Sequence, residues 1–215
     1  MDVVIENLPL YWEGFLRTLE LSVLSSVLAL VLGTVLATFR VSPVPTLRAA
    51  GTGYVETVRN TPLTLIFFFV VFVLPQLDIG LSYFTSAVIA LTVYHAAFFC
   101  EAVRSGINSV SAGQLEAARS IGLTFGQSLN LVVLPQAFRT VIPPLINVVI
   151  ALTKNSSIAS AFGVVELTSI TFRLVNLNGD AAIPIMVGGA LFYLLITVPS
   201  GRLAGVVERR VAIAR

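Results

Sequence analysis

Residues 15–39 read FLRTLELSVLSSVLALVLGTVLATF, and this stretch decides the fold class of the chain. It has no charged side chain from Leu21 to Phe39, which is long enough for a helix to cross the hydrocarbon core of a bilayer. Small residues recur along it at steps of three or four: Ser22, Ser26, Ala29, Gly33 and Ala37. Because a face of small residues lets membrane helices approach closely, the stripe predicts a tight contact with another span.

The chain as a whole is too apolar for a soluble protein. Hydrophobic residues make up 56% of its 215 residues and charged residues only 11%, whereas soluble domains carry about 25% charged residues. Apolar runs predict spans at 15–39, 62–77, 83–103, 136–157 and 183–207, with a polar loop at 104–134. We therefore predict an all-α membrane protein of about five transmembrane helices, forming a single domain over residues 1–215.

Prolines mark two of the predicted spans. Pro62 suits the first turn of the second helix, whose entrance we place at 54–61. Pro143 and Pro144 lie inside the fourth span, where their missing N–H groups predict a kink or a break.

Arginines fall mainly on one side of the predicted membrane. Ten of the 13 basic residues lie on one predicted side, either in the segments that follow spans one, three and five or near the ends of the spans that border them. They are Arg40, Arg48, Arg59, Arg104, Arg119, Arg139, Arg202, Arg209, Arg210 and Arg215. Basic residues accumulate in cytoplasmic loops, so we predict an outside N-terminus, a cytoplasmic 104–134 loop and a cytoplasmic C-terminus.

The residues needed for most chemistry are missing from the sequence. The only lysine, Lys154, stands between Thr153 and Asn155, which excludes a Walker A loop. With one histidine and one cysteine, the chain has no HExxH zinc motif and no internal disulfide. A net charge of +2 is too small for nucleic-acid binding. We predict no enzyme activity, no metal and no cofactor in this chain, with His95 as a hydrogen-bonded interhelical residue and Cys100 as packing.

The 104–134 loop carries the most specific pattern. Its residues are Gln114, Leu115, Glu116, Ala117 and Ala118, then Gly122, then Val132, Leu134 and Pro135. This spacing resembles the EAA pattern of binding-protein-dependent ABC importers, with Val132 where isoleucine is commoner.

The same residues predict a short helix over 114–121, lying along the membrane surface. Ala117, Ala118 and Ile121 form an apolar face that can enter a groove. Glu116 is placed near the N-terminal end, where the helix dipole favours an anion, and Gly122 can end the helix in a left-handed cap. The resemblance implies that this helix docks on an ATPase subunit, and it assigns the coupling residues: Gln114, Glu116, Ala117, Ala118 and Gly122.

Four further segments narrow the resemblance to permeases for polar amino acids. They are WEGFLRTLELS at 12–22, YVETVRNTPL at 54–63, EAVRSGIN at 101–108 and LTKNSSIA at 152–159. Asn60 departs from the glycine that is usual in the second segment. Together the segments cover nearly the whole chain.

The resemblance implies a set of partners. These are a second permease, identical or related, ABC ATPase subunits that bind ATP and Mg²⁺, and an extracytoplasmic solute-binding protein, all at a bacterial inner membrane. Because intramembrane carboxylates are scarce and the chain has a single lysine, we favour glutamate or glutamine as the substrate. A basic amino acid such as arginine or histidine is the alternative. A stand-alone channel or ion-coupled carrier would transport without partners, and a non-transport membrane protein would need catalytic residues.

Lys154 is the costliest residue to place in a span, at about 2.5–3.5 kcal/mol on insertion scales. We therefore expect it to face a cavity, on a polar stripe that forms the substrate path: Asn147, Lys154, Asn155, Ser156 and Ser157. In this hypothesis Lys154 contacts a substrate carboxylate. The alternative is that Lys154 pairs with Glu101 or Glu166 and fixes helix packing. Before the second span, Arg59, Asn60 and Thr61 form either an inner gate or a capped helix start.

Overall fold

The computed structural model describes residues 2–211, with side chains as far as residue 209. Arg215 and the side chain of Arg210, two of the charges behind the predicted orientation, lie outside the described part. All regular structure within residues 2–211 is helical. The helices are α1 Asp2–Glu6, α2 Leu8–Val41, α3 Pro45–Arg59, α4 Leu63–Leu77, α5 Tyr83–Asn108, α6 Ala112–Ser120, α7 Phe125–Phe162, α8 Leu167–Leu177 and α9 Ala182–Val211.

Four of these helices are long and apolar enough to cross a membrane: α2, α5, α7 and α9. Helices α3 and α4 meet the same criteria only as a pair, which is bent by 102°. Residues 2–211 therefore hold four candidate spans, or five if the bent pair counts as one. This confirms the predicted all-α membrane fold.

The bend between α3 and α4 shows that the predicted entrance and start of the second span were wrong. The segment predicted as its entrance belongs to α3, a separate helix of 15 residues. Pro62 stands just before the first turn of α4, not in it, with φ −59° and ψ 135°. A residue that precedes proline is disfavoured in the helical region, so Thr61 ends one helix direction and Leu63 begins the next.

A kink or a break was predicted at Pro143 and Pro144 in the fourth span; helix α7 continues through both prolines, so the predicted break is wrong. It also begins much earlier, at a capping box in which Thr124 and Gln127 bind each other's backbone N–H groups, at 3.3 Å and 2.9 Å. The predicted loop therefore ends at residue 124 instead of 134, and α5 shortens it at the other end by continuing to Asn108.

Widened π turns precede two other prolines. The π turn Phe69–Val73 ends two residues before Pro75, and Leu129–Val133 ends two residues before Pro135. Proline has no N–H and its ring crowds the preceding turn, and a π turn is one way in which a helix absorbs such a disturbance. Helices α4 and α7 thus continue past prolines that would be expected to end them.

The small-residue stripe of α2 packs as predicted. All five of its members are buried: Ser22, Ser26, Ala29, Gly33 and Ala37. A β-carbon added to Gly33 would lie 2.6 Å from Cβ of Phe99 and 2.7 Å from the carbonyl oxygen of Ala96. Helix α5 therefore approaches α2 so closely that only glycine fits at this contact.

Candidate functional site

A cavity of about 300 Å³ lies between α5 and α7. Its lining residues are Tyr94, His95 and Phe98 on α5, and Asn147, Val148, Ala151 and Asn155 on α7. Asn147, Ala151 and Asn155 are spaced by four residues, which places them on one face of α7. This face carries two amide side chains and a small residue, so the cavity wall offers both hydrogen-bond donors and acceptors.

His95 and Asn155 connect the two walls of this cavity. Nδ1 of His95 lies 2.9 Å from the carbonyl oxygen of Leu91, and Nε2 lies 3.2 Å from Nδ2 of Asn155. Since a carbonyl can only accept, Nδ1 carries the proton in neutral His95 and Nε2 accepts from the Asn155 amide. The structure confirms the predicted interhelical hydrogen bond of His95, which is almost fully buried.

The predicted path residues divide into two groups. Asn147 and Asn155 line the cavity. The hydroxyls of Ser156 and Ser157 donate to carbonyls of their own helix turn, those of Thr153 and Lys154, at 2.7 Å and 2.8 Å. Both serines lie at or after the change from α-helix to the 3₁₀ turn Ser156–Phe162.

Lys154 is exposed and does not belong to the cavity lining. Within the described part of the chain it forms no ion pair. Both of its proposed acidic partners are bound elsewhere, Glu101 to arginines and Glu166 to hydroxyl and backbone donors. The alternative hypothesis of a packing ion pair within this chain is therefore wrong.

The carboxylate of Glu101 forms ion pairs with three arginines, which come from three different helices. Arg40 of α2 donates to its Oε1, and Arg59 of α3 lies 3.4 Å from the same oxygen. Arg104 of α5 donates to Oε2 through Nη2 at 2.7 Å and Nε at 3.2 Å. This cluster ties the ends of α2, α3 and α5 together, and the sequence reasoning did not predict it.

The segment Arg59–Thr61, predicted as an inner gate or a capped helix start, caps the end of α3 instead of the start of the next helix. The side chains of Asn60 and Thr61 bind the last turn of α3, donating to the carbonyls of Glu56 at 2.7 Å and Thr57 at 2.8 Å. They act as caps of that helix. Arg59 instead reaches across to α5, where its Cζ lies 5.6 Å from the centre of the Phe98 ring.

Glu166 is a buried carboxylate whose hydrogen-bond partners the sequence analysis did not predict. It is fully buried and caps α8 by accepting from the Ser169 N–H at 2.8 Å. It also accepts from the hydroxyls of Thr18 at 3.2 Å and Tyr193 at 2.9 Å. Burial raises the pKa of Glu166, against the effect of these donors. In the sequence, the position of Glu166 just before an apolar helix was the signal that could have indicated this capping role.

Helix α6 contains four of the predicted coupling residues, Gln114, Glu116, Ala117 and Ala118, and the fifth, Gly122, lies just beyond its C-terminal end. It begins two residues earlier than predicted, at Ala112, so Glu116 lies in the middle of the helix and not near its N-terminal end. Ala118 is buried, 4% exposed, against its own chain, whereas Ile121 is 78% exposed. Gln114, Glu116 and Ala117 are also exposed. The face that α6 presents outward therefore includes Ala117 and Ile121 but not Ala118.

The structure confirms the left-handed cap predicted at Gly122, where φ is 91°. The N–H of Gly122 bonds to the carbonyl of Arg119 at 3.0 Å, and the N–H of Leu123 bonds to that of Ala118 at 3.2 Å. These two bonds define a Schellman motif. The motif fixes where Ile121 projects at the end of the helix.

Comparison with known proteins defines the class. Residues 29–213 match the family described as binding-protein-dependent transport system inner membrane component, and the chain belongs to this family. It is thus a multi-pass membrane protein and a permease subunit of an ABC transporter, a class that functions with ABC ATPase and permease partners. The family match confirms the resemblance seen in the loop pattern.

The chain is similar to several permease proteins of amino-acid transporters. The probable glutamine ABC transporter permease protein GlnM of Bacillus subtilis (strain 168) is 40% identical over 212 residues, which cover 98% of this chain and 97% of GlnM. The glutamate transport system permease protein GluC of Corynebacterium glutamicum is 38% identical over 221 residues, covering 97% of this chain and 95% of GluC. A chain in the crystal structure of an amino acid ABC transporter with histidines is 29% identical, with a TM-score of 0.88 and coverage of 96% on both sides.

Proposed function

We propose that this chain is the permease subunit of an ATP-driven importer of polar amino acids, with glutamate or glutamine as the favoured substrate. The cavity between α5 and α7, with the amides of Asn147 and Asn155 in its wall, is the observation that carries the proposal. Its volume of about 300 Å³ suits a small solute, since ligand pockets start at about that size. The relatives GlnM and GluC carry glutamine and glutamate in their names.

The charge of the cavity supports the choice among amino acids. No aspartate or glutamate is among the described residues that line it. A basic side chain in a low-dielectric site needs a carboxylate partner, whereas an uncharged amide side chain can use the hydrogen-bonding groups of Asn147, Asn155 and Tyr94. An arginine or histidine importer is therefore the less favoured alternative.

The substrate path in this proposal extends along the polar face of α7. Asn147 and Asn155 form the cavity wall. Lys154, Ser156 and Ser157 do not line this cavity, and in the proposal they belong to the part of the path next to it. The exposed ammonium group of Lys154 is free to meet a carboxylate, because it has no acidic partner within the described residues of this chain.

Energy for transport comes from partner subunits in this proposal. ATP and Mg²⁺ are bound by ABC ATPases, and Gln114, Glu116, Ala117, Ala118 and Gly122 belong to the helix that transmits their closure. The exposed members and Ile121 make the contact, while Ala118 and Gly122 hold the shape of α6. A second permease, identical or related, completes the pathway, and a solute-binding protein delivers the substrate.

The proposed location is a bacterial inner membrane, with the N-terminus outside and α6 in the cytoplasm. Cysteine labelling tests this orientation directly, because the only native cysteine, Cys100, is buried. In intact cells a membrane-impermeant maleimide should label Asp78→Cys, between α4 and α5, and should reach Gln114→Cys only after permeabilisation. The reverse pattern would overturn the orientation.

The function is tested by the ATPase activity of the assembled transporter in lipid nanodiscs. Purified binding protein loaded with L-glutamate, L-glutamine, L-arginine or L-histidine is added in turn. We expect glutamate or glutamine to stimulate hydrolysis most. Stimulation by arginine or histidine alone would establish the alternative, and no stimulation by any of the four would contradict the proposal.

A further inference from the structure

The Glu101 cluster has more positive charge than its single carboxylate can neutralise. Three guanidinium groups share two oxygen atoms, which leaves an excess of two positive charges. Each oxygen is already bound at short range by another arginine, Oε1 by Arg40 and Oε2 by Arg104. An unbalanced group of cations at the end of a membrane cavity creates a local potential that attracts anions.

Arg59 is the least engaged of the three arginines. Its side chain is 46% exposed, against 13% for Arg40 and 35% for Arg104, and its contact with Glu101 is long, at 3.4 Å. Among the described residues its guanidinium donates no shorter hydrogen bond to any side chain. A guanidinium has five N–H donors in a planar fork, so Arg59 retains capacity for a second, better-placed carboxylate.

The position of Arg59 relates the cluster to the cavity. Its guanidinium lies against the Phe98 ring, and that ring is part of the cavity lining. Along α5, the cavity residues Tyr94 and Phe98 are followed one turn later by Glu101. Arg59 therefore lies beside a lining residue of the cavity, at the end of the α5 wall nearer to Asn108.

We propose that Arg59 binds a carboxylate of the transported amino acid at this end of the cavity. The substrate carboxylate would replace the long contact between Arg59 and Glu101, and this contact would form again once the substrate has left. Arginine suits this role because it binds a carboxylate through two parallel hydrogen bonds. The proposal rests on the proposed function, and the carboxylate is either the α-carboxylate or that of a glutamate side chain.

The test measures equilibrium binding to the assembled transporter in nanodiscs with three probes. L-Glutamate carries both carboxylates, L-glutamine only the α-carboxylate, and the α-amide of L-glutamate only that of the side chain. Arg59→Gln removes the charge, and Arg59→Lys keeps it without the fork. Arg48→Gln is the matched control, because Arg48 is exposed on the same helix and forms no ion pair among the described residues.

We expect Arg59→Gln to weaken binding about tenfold to hundredfold for the two probes that carry the recognised carboxylate. Binding of the third probe, which lacks that carboxylate, should stay unchanged. Loss for glutamate and glutamine assigns the α-carboxylate, and loss for glutamate and its α-amide assigns the side chain. If Arg59→Gln does not assemble, Arg59→Lys decides, with a smaller loss of the same pattern. Arg48→Gln should bind all three probes as the wild type does.

Two results would overturn the assignment. Unchanged binding of all probes by an assembled Arg59 variant would remove Arg59 from the path. Equal weakening of all three would assign it a structural role through Glu101. A wild-type transporter that binds none of these probes would overturn the proposed function as well, and is recognised before any variant is compared.

Discussion

Nδ2 of Asn155 lies 3.2 Å from Nε2 of His95, and this contact holds the two walls of the cavity together. The other ring nitrogen of His95 is bound to the carbonyl of Leu91. The imidazole is therefore fixed in one orientation, and the Asn155 amide is positioned before any solute enters.

Replacing Asn155 by leucine should block transport without unfolding the protein. The change fills part of the cavity and removes an amide that we place in the substrate path, so we expect uptake to fall by about tenfold or more, as for the loss of one or two hydrogen bonds. Val149→Leu is the matched control, since Val149 lines an apolar groove elsewhere on α7. Normal uptake by an assembled Asn155→Leu transporter would place the path elsewhere.

Ile121→Glu should uncouple ATP hydrolysis from uptake. The side chain is 78% exposed in this chain, so the change should alter stability by less than about 0.5 kcal/mol, while a charge at an apolar docking surface disfavours contact with the ATPase. Binding-protein-stimulated ATPase and uptake are measured together, with Ile121→Leu as the control that keeps both. Intact coupling in Ile121→Glu would count against α6 as the coupling helix.

Gly106→Ala should destabilise the contact between α5 and α7. A β-carbon there would lie 1.7 Å from Cγ2 of Val141, and overpacking of this kind costs about 1–3 kcal/mol. The midpoint of thermal unfolding in detergent should fall. Val141→Ala removes the clashing methyl, so the double variant should recover most of the loss, and a purely additive double variant would show that the clash is not the cause.

Glu166→Ala should cost more stability than Glu166→Gln. Alanine removes the cap of α8 and leaves the hydroxyls of Thr18 and Tyr193 without their acceptor, which amounts to about 2–4 kcal/mol. Glutamine keeps one acceptor oxygen and about the same volume, so its loss should be smaller. Thermal unfolding of the two variants makes the comparison, and an equal loss would show that the hydrogen bonds of Glu166 contribute little.

The sequence predicted features that depend on local pattern. The spans, the small-residue stripe through Gly33 and the left-handed cap at Gly122 all follow from composition or spacing along a single helix. The loop pattern from Gln114 to Pro135 was specific enough to indicate the family. In each case the residues that carry the signal are close together in the chain.

Features that depend on tertiary contacts were missed or wrong. A kink or a break was predicted at Pro143–Pro144, and the helix is not broken there. The alternative that paired Lys154 with Glu101 or Glu166 ignored donors from other helices. Glu101 is paired with Arg40 and Arg59 across distances of 61 and 42 positions in the sequence. Burial of Ala118 depends likewise on the fold, so a charge at Ala118 would test the packing of α6 before it could test docking.

The most direct test of the central claim is uptake of L-glutamate and L-glutamine into proteoliposomes that contain this chain, with and without its ATPase and permease partners. We predict uptake only when all partners, the loaded binding protein and ATP are present, and its loss in Ile121→Glu. Flux of either amino acid through this chain alone, without ATP, would contradict the account and make the protein a channel or carrier.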